Sequence, residues 1–299
     1  MFLPEKRKIL LIINPNAGKM KSRSGTFDII NHLSSNNCIV TVHCTIGPND
    51  AKNTVLLHAK GHDLIICCGG DGTLNEVISG VLSLPEKLPI GYIPAGSTND
   101  FARTLEIPLK IKKSSQLVVN GTPSPIDIGK MNDENYFSYV ASFGAFTKVS
   151  YSTSQKLKNK IGHAAYILGG LKQLGELHPY QLKVTTNKMC TTGNFIFGAV
   201  TNTTSIGGIL NLNKHDVDLC DGNFEVLLVR NPNNPLDLSA ILQGLLKRRY
   251  DARHIVFFRT NRIEFEFESP ASWTIDGEFG GKHQKVVIEN LHEAINILR

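Results

Sequence analysis

The chain has 299 residues, 41% hydrophobic and 19% charged, with 26 Gly and 13 Pro. That profile excludes collagen-like, coiled-coil and disordered classes, and the length suffices for two ordinary domains or one large one. Lys plus Arg exceed Asp plus Glu by 32 − 26, a net +6; this suits phosphate ligands or an anionic membrane surface without proving either.

Residues 8–13 form an aliphatic run ending in Asn14-Pro15-Asn16-Ala17-Gly18, the pattern of a buried strand entering a loop. A helix is expected over 24–34, a strand over 38–44, a helix over 51–59 and a buried strand over 64–68. Leu74, Val77, Ile78, Val81 and Leu82 make the apolar stripe of an amphipathic helix over 73–83. A fourth strand is expected over 90–93. Repeated β-α-β units with continuous apolar strands predict an α/β fold with a doubly wound parallel sheet.

Near residue 124 the pattern turns to strands, at 126–131, 136–142, 181–186, 194–201, 224–229, 254–258, 262–268 and 285–289. Ile263, Phe265 and Phe267 alternate with Glu264, Glu266 and Glu268. This predicts a β-rich, sandwich-like second domain with helical insertions near 161–174 and 235–246. The expected domains are 1–124 and 125–289, with the tail 290–299 returning to the first.

The six cysteines, at 38, 44, 67, 68, 190 and 220, form no C-x-x-C pair. A zinc ribbon is therefore not expected, and buried reduced thiols of a cytoplasmic protein are. The apolar run 9–13 is too short for a signal peptide, and no stretch approaches 18 apolar residues.

Gly69-Gly70-Asp71-Gly72-Thr73 lies between a predicted buried strand and a predicted helix. Its three glycines are expected to take positive φ values and let the backbone approach a bulky anion, which the helix N-terminus attracts. Asp71 would repel a bare phosphate, so metal-bound nucleotide is the expected ligand. Ile93-Pro94-Ala95-Gly96-Ser97-Thr98-Asn99-Asp100 and Asn14-Pro15-Asn16-Ala17-Gly18-Lys19 follow two other strands. Each alone reads equally as a tight turn with an N-capped helix. Three such loops after parallel strands converge on the edge where open α/β sheets place ligands. The Walker A, G-x-G-x-x-G and G-x-S-x-G patterns do not occur.

These stretches, with Leu74-Asn75-Glu76-Val77, Phe101-Ala102-Arg103, Asp218-Leu219-Cys220-Asp221-Gly222 and Asp276-Gly277-Glu278, resemble the bacterial soluble lipid kinases with a diacylglycerol kinase catalytic domain. The motifs keep the family's order over nearly the whole chain. Gly-Gly-Asp-Gly-Thr alone is shared with NAD kinases; the Asn-Glu after it and Asn99-Asp100-Phe101-Ala102 favour the lipid kinases. The resemblance implies a nucleotide-binding α/β domain, a C-terminal β-sandwich and an active site in the cleft between them. It implies ATP contacts at Thr45, at Gly69 through Asn75 and at Ser97, and a nucleotide site that takes in Asn14, Asn16, Lys19, Glu76, Gly96, Asn99 and Arg103. It makes Asp276 the catalytic base, with Glu278 able to steer it, and has Mg²⁺ bridge Asp71 and the phosphates. It places a structural Mg²⁺ at Asp218, Asp221 and Asn223, where Cys220 departs from the usual polar neighbour. Lys19, Arg103 and Lys158 are the candidate charge stabilisers.

The implied reaction is ATP-dependent phosphorylation of a lipid hydroxyl, first of all diacylglycerol. The alternatives are another lipid alcohol such as a sphingoid base, phosphatidylglycerol or an undecaprenol-like alcohol, a NAD kinase, or a nucleotide- or lipid-binding regulator without turnover. Residues 135–175 carry five lysines and no acid, and 247–262 carry six basic residues and one acid. Either is a candidate contact with the inner face of an anionic membrane or a solvated basic face. No nucleic-acid motif accompanies this charge. Dimerisation is compatible with a two-domain kinase of this kind.

Overall fold

The computed structural model describes residues 6–133, 135–144, 179–203, 205–206, 210–211 and 218–299. The chain divides into two compact units, Met1–Ile126 with Glu293–Arg299, and Asp127–His292.

In the first unit, β1 (Arg7–Ile13), β2 (Cys38–Cys44), β3 (Leu64–Gly69) and β4 (Ile90–Pro94) are joined by the last residues of β15 (Glu278–Leu298). All pair in parallel, in the order β2-β1-β3-β4-β15. A 3₁₀ turn (Ala17–Met20) leads into α1 (Lys21–Ser35); α2 (Asp50–His58), α3 (Asp71–Leu82), α4 (Asp100–Thr104) and α5 (Ile111–Asn120) follow. Ile9, Leu11 and Ile13 share one core with Ile29 and Leu33 of α1 and Val118 of α5. Leu10 and Ile12 are equally buried and, by the two-residue alternation of a strand, face the other side. Both faces of β1 are therefore covered, which is why it reads as an unbroken aliphatic run. Each such side chain contributes roughly 1.5–3 kcal/mol on burial. Helix α5 was not expected from the sequence. Its buried face consists of Ser114, Ser115 and Val118, too polar to stand out as an apolar stripe.

The second unit holds most of β5 (Pro123–Met131), then β6 (Asn135–Phe137), β7 (Val140–Gly144), β8 (Tyr180–Thr186), β9 (Cys190–Thr201), β10 (Ser205–Ile206), β11 (Leu210–Asn211), β12 (Phe224–Arg230), α6 (Pro235–Lys247), β13 (Ile255–Thr260), β14 (Arg262–Ile275) and the first part of β15. Strand β14 carries β15 along one edge and β8, then β7, along the other, all antiparallel. Strand β9 pairs with β7, β8 and β12, again antiparallel. Phe143, Phe265, Phe267 and Trp273 form an aromatic cluster in its core, with Phe143 and Phe267 edge-to-face at 4.9 Å. The Asn234 side chain accepts from Leu236 N and Asp237 N, and Pro235 opens α6, a complete N-terminal stop signal.

The single strand expected over 136–142 is two, because Ser138 N and Tyr139 N donate to the Asp276 carboxylate instead of to a neighbouring strand. The helix expected at 161–174 lies outside the described residues. Cys38, Cys67 and Cys68 are buried, but Cys44 and Cys190 are exposed and Cys220 is half-buried, so the expectation of buried thiols holds for three of the six.

Glu225 on β12 is fully buried. Its Oε1 accepts from Arg259 Nε at 3.1 Å, while Oε2 has no partner among the described residues. Burial holds this carboxyl up at about 7, and Arg259 only partly offsets it. The folded state therefore keeps a proton that the unfolded chain has released, across the interval from the ordinary value of 4.5 to about 7. Raising the pH through that interval lowers stability, with no further loss from this group above it. Denaturant titrations at pH 5 and pH 8 should show Glu225→Gln losing less stability over this range than the parent. An equal or larger loss would show that Glu225 titrates like an exposed acid.

Candidate active site

Four loops leave the carboxyl edge of the parallel sheet in the first unit, because Ile13 is in register with both Cys44 and Cys68, and Gly69 with Pro94. The strand order reverses between β1 and β3, so the loops after them flank the crevice where doubly wound sheets bind ligands. Pairing continues into the loops. Asn14 N donates to Cys68 O at 2.9 Å, Thr45 N to Ile13 O at 2.8 Å and Ala95 N to Gly69 O at 2.8 Å.

The glycines serve a purpose other than the one expected. Gly69, Gly70 and Gly72 are not among the glycines with positive φ, and Gly70 is extended, at φ −93° and ψ −177°. What they provide is space. A Cβ on Gly96 would stand 2.6 Å from Gly70 Cα, and one on Gly70 3.3 Å from Gly96 Cα. The two loops thus meet backbone to backbone. Gly18 does have φ +50°, and its Cβ would fall 1.9 Å from Ala95 O. Three loops from three strands are nested through these residues.

Side chains complete the junction. Asn14 Nδ2 donates to Thr73 Oγ1 at 2.9 Å, and Asn14 Oδ1 accepts from Asn16 N at 2.9 Å. Asp71 is buried, and its Oδ2 accepts from Thr98 Oγ1 at 3.2 Å and Asp100 N at 3.1 Å; Oδ1 takes Phe101 N at 3.4 Å. It therefore caps α4, which has no side-chain cap of its own. Burial pushes its carboxyl up, and these donors pull it partly back. Asn99 Nδ2 donates to Gly96 O at 3.0 Å and Arg103 Nε to Thr98 O at 3.1 Å. Thr45 is buried, Ser97 is exposed and Asn75 is half-buried. Lys19 lies in the 3₁₀ turn. Lys158 lies outside the described residues. Glu76 turns to the start of α2, with Oε1 accepting from Asn49 N at 2.8 Å and Oε2 from Ala51 N at 3.1 Å.

In the second unit Asp276 (φ 48°) and Gly277 (φ 85°) form the turn between β14 and β15. The Asp276 carboxylate is buried and accepts hydrogen bonds from Ser138 N (2.7 Å), Ser138 Oγ (2.8 Å), Tyr139 N (3.0 Å) and Val140 N (3.0 Å). Burial pushes its carboxyl up against the opposing pull of these donors. Glu278 is exposed on β15, opposite Ile275.

At both expected cation sites the carboxylates have protein partners. Asp71 is occupied by the 98–101 turn. Asp218 Oδ1 accepts from Cys220 N at 3.1 Å, Asp221 Oδ1 from Asn223 N at 2.9 Å, and Asp221 Oδ2 is paired with Arg259. Among the described residues no three His, Cys, Asp or Glu side chains converge as metal ligands.

Sequence reasoning missed Asp127, which is fully buried. It accepts from Gly222 N at 2.7 Å and Asn290 Nδ2 at 3.2 Å, and contacts His292 Nδ1 at 3.0 Å. An acid between Ile126 and Ile128 was the available signal. Ser138, Tyr139 and Arg259 carried none, since their partners lie far away in sequence.

A family model, the diacylglycerol kinase catalytic domain, matches residues 8–131. The diacylglycerol kinase of Bacillus subtilis (strain 168) is 32% identical over 277 residues, 92% of this chain and 91% of that protein. The diacylglycerol kinase of Staphylococcus aureus (strain bovine RF122 / ET3-1) is 30% identical over 281 residues, 93% and 88% of the two chains. Two crystal structures from Bacillus anthracis (strain Sterne) share the fold. One, 25% identical, has a TM-score of 0.82 and covers 99% of this chain and 96% of that one. The other, named a diacylglycerol kinase, is 21% identical with a TM-score of 0.75, covering 99% and 98%.

The nesting of the loops predicts a contrast between two glycines. Gly96→Ala places a methyl group against backbone that cannot turn aside and should cost about 1–3 kcal/mol, the usual range for overpacking. Gly47→Ala, with nothing within 4 Å of its Cβ, should cost nothing. Thermal unfolding of both variants checks this, and equal midpoints would remove the steric account.

Proposed function

Belonging to the diacylglycerol kinase family, this chain is a lipid kinase that uses ATP, and we propose that it transfers the γ-phosphoryl group to the free hydroxyl of diacylglycerol, giving phosphatidic acid. The observation that carries this reading is the interlocked set of loops 14–18, 69–73 and 95–99 at the switch point of the first unit. The uncapped N-terminus of α3 offers backbone N–H groups to an anion there. Phosphoryl transfer asks the protein chiefly for positioning and charge balance, and a rigid, backbone-rich cradle supplies positioning.

Asp276 is assigned as the base that takes the hydroxyl proton, and Glu278 as its neighbour on the same turn. Its upward-shifted carboxyl suits the role. Among the described donors the Ser138 hydroxyl is the one that rotates, so the incoming proton is accommodated on Oδ2 when Ser138 Oγ turns from donor to acceptor. Lys19 and Arg103 are the cations assigned to the triphosphate. Magnesium bound to the nucleotide would supply further charge neutralisation.

The membrane contact is assigned to the end of α6. Lys247, Arg248 and Arg249 are exposed at the C-terminal end of α6, next to Leu246, which is itself 45% exposed. Exposed apolar surface beside clustered cations suits the cytoplasmic face of an anionic bilayer.

Transfer of labelled phosphate from ATP to mixed micelles, one acceptor at a time, tests the reaction. Labelled phosphatidic acid is expected; label on another lipid alcohol would change the acceptor, and label on NAD alone would overturn the lipid reading. Asp276→Asn should abolish turnover and keep ATP affinity. It should also lower the melting temperature, since an amide cannot accept all the bonds of the carboxylate. Turnover within tenfold of the parent would remove Asp276 as base. Replacing Lys247, Arg248 and Arg249 together by Gln should weaken binding to phosphatidylserine-containing vesicles roughly 100-fold, at about 1 kcal/mol per cation. Unchanged vesicle sedimentation would move the contact elsewhere.

A further inference from the structure

Helix α2 begins without a cap of its own. Its N-cap, Asn49, is left-handed at φ 63° and makes no side-chain cap bond, although helix starts usually recruit an Asn, Asp, Ser or Thr side chain for this purpose. The acceptor comes from another helix. Glu76, on the second turn of α3, takes Asn49 N on one oxygen and Ala51 N on the other, at 2.8 and 3.1 Å. A negative carboxylate at a helix N-terminus is also favoured by the helix dipole.

The loop this clamp holds is 45–49, between β2 and α2. It is pinned at two other places. Thr45 N extends the sheet to Ile13 O. Asp50 Oδ2 accepts from Ile46 N at 2.8 Å and contacts His43 Nε2 at 3.0 Å. Between the pins, Ile46 is 93% exposed and a Cβ on Gly47 would meet nothing within 4 Å. The loop therefore presents an open apolar tip at the edge from which the glycine loops emerge. Helix α3 begins at Asp71, directly after Gly69 and Gly70. One rigid helix thus carries the anion-facing loop at its first turn and grips the 45–49 loop at its second.

We propose that Glu76 is a positioning residue for the nucleotide: it fixes the 45–49 loop relative to the 69–73 loop, so that the apolar end and the phosphate end of one ATP molecule are held at a set separation. This rests on the kinase reading above. Glu76 touches no substrate and acts through the backbone of Asn49 and Ala51. Losing the clamp frees the loop without altering the anion cradle, so the loss falls on ATP binding and not on the chemical step.

The test combines steady-state kinetics at varied ATP, calorimetric ATP binding and amide hydrogen exchange of residues 45–51. Glu76→Ala should raise both KM and Kd for ATP about tenfold, in line with two lost hydrogen bonds, and should speed exchange at Asn49 and Ala51. Its kcat and its KM for the lipid should stay within about twofold, the pattern of lost uniform binding. Glu76→Gln, with one acceptor oxygen left, should fall between Ala and the parent. Ile46→Ala, at a position whose exposure protects folding, should weaken ATP binding severalfold even if Glu76→Ala does not fold. A folded Glu76→Ala with parental ATP affinity, or a fall in kcat at unchanged KM, overturns the proposal. A parent protein that binds no ATP overturns the kinase reading and this inference with it. Parental binding that survives the Glu76 and Ile46 changes overturns the inference alone.

Discussion

A Cβ on Gly96 would lie 2.6 Å from the Cα of Gly70. Everything at the carboxyl edge of the parallel sheet depends on the absence of that atom. With both residues glycine, the loops after β3 and β4 share one layer. Asp71 then reaches across to take N–H groups from the 98–101 turn, and Asn99 reaches back to Gly96 O. A larger residue at either place would lift the loops apart and leave Asp71 buried without partners, at a penalty of about 1–3 kcal/mol or more for a charged group.

The same logic governs the other buried acids. Burial alone drives a carboxyl to protonate, and hydrogen bonds to the charged form oppose it. Asp276 and Asp127 are built into their surroundings as acceptors. Glu225 has one oxygen served by Arg259 and the other without a partner among the described residues, and burial raises its carboxyl to about 7. Burial pushes the Asp276 carboxyl up too, despite its donors, and one of those donors, the Ser138 hydroxyl, is able to turn.

Elements with strong periodicity were legible in the sequence. The strand expected over 38–44 coincides with β2, and those expected over 8–13 and 64–68 differ from β1 and β3 by one residue at an end. Both faces of β1 are buried, and its composition says so. Helix α5 was missed because it buries serines, whose hydroxyls donate to Lys110 O and Ile111 O. The break at Ser138–Tyr139 was invisible because its cause, Asp276, lies 138 residues from Ser138. At the candidate site the loops were found but their glycines were misread. Sequence shows where a backbone is unencumbered; whether that freedom serves φ, a ligand or a neighbouring loop depends on contacts between distant segments. Glu76 shows the same limit, since the amides it serves belong to a helix 25 residues earlier or more.

That limit also explains why the motif set is specific although each piece is weak. Asn14 bonds Thr73, Asp71 bonds Thr98 and the 100–101 amides, and Gly18 packs on Ala95. The polar residues after β1, β3 and β4 are therefore one another's partners before they are any ligand's. A Gly-Asp-Gly turn by itself requires none of the others. The interlocked version requires all three stretches together, because each removes a steric clash or an unsatisfied buried group created by another. Loops held by one another in this way are ordered in folding, so a ligand bound there need not supply that ordering. The lipid end of the reaction shows no comparable interlock among the described residues.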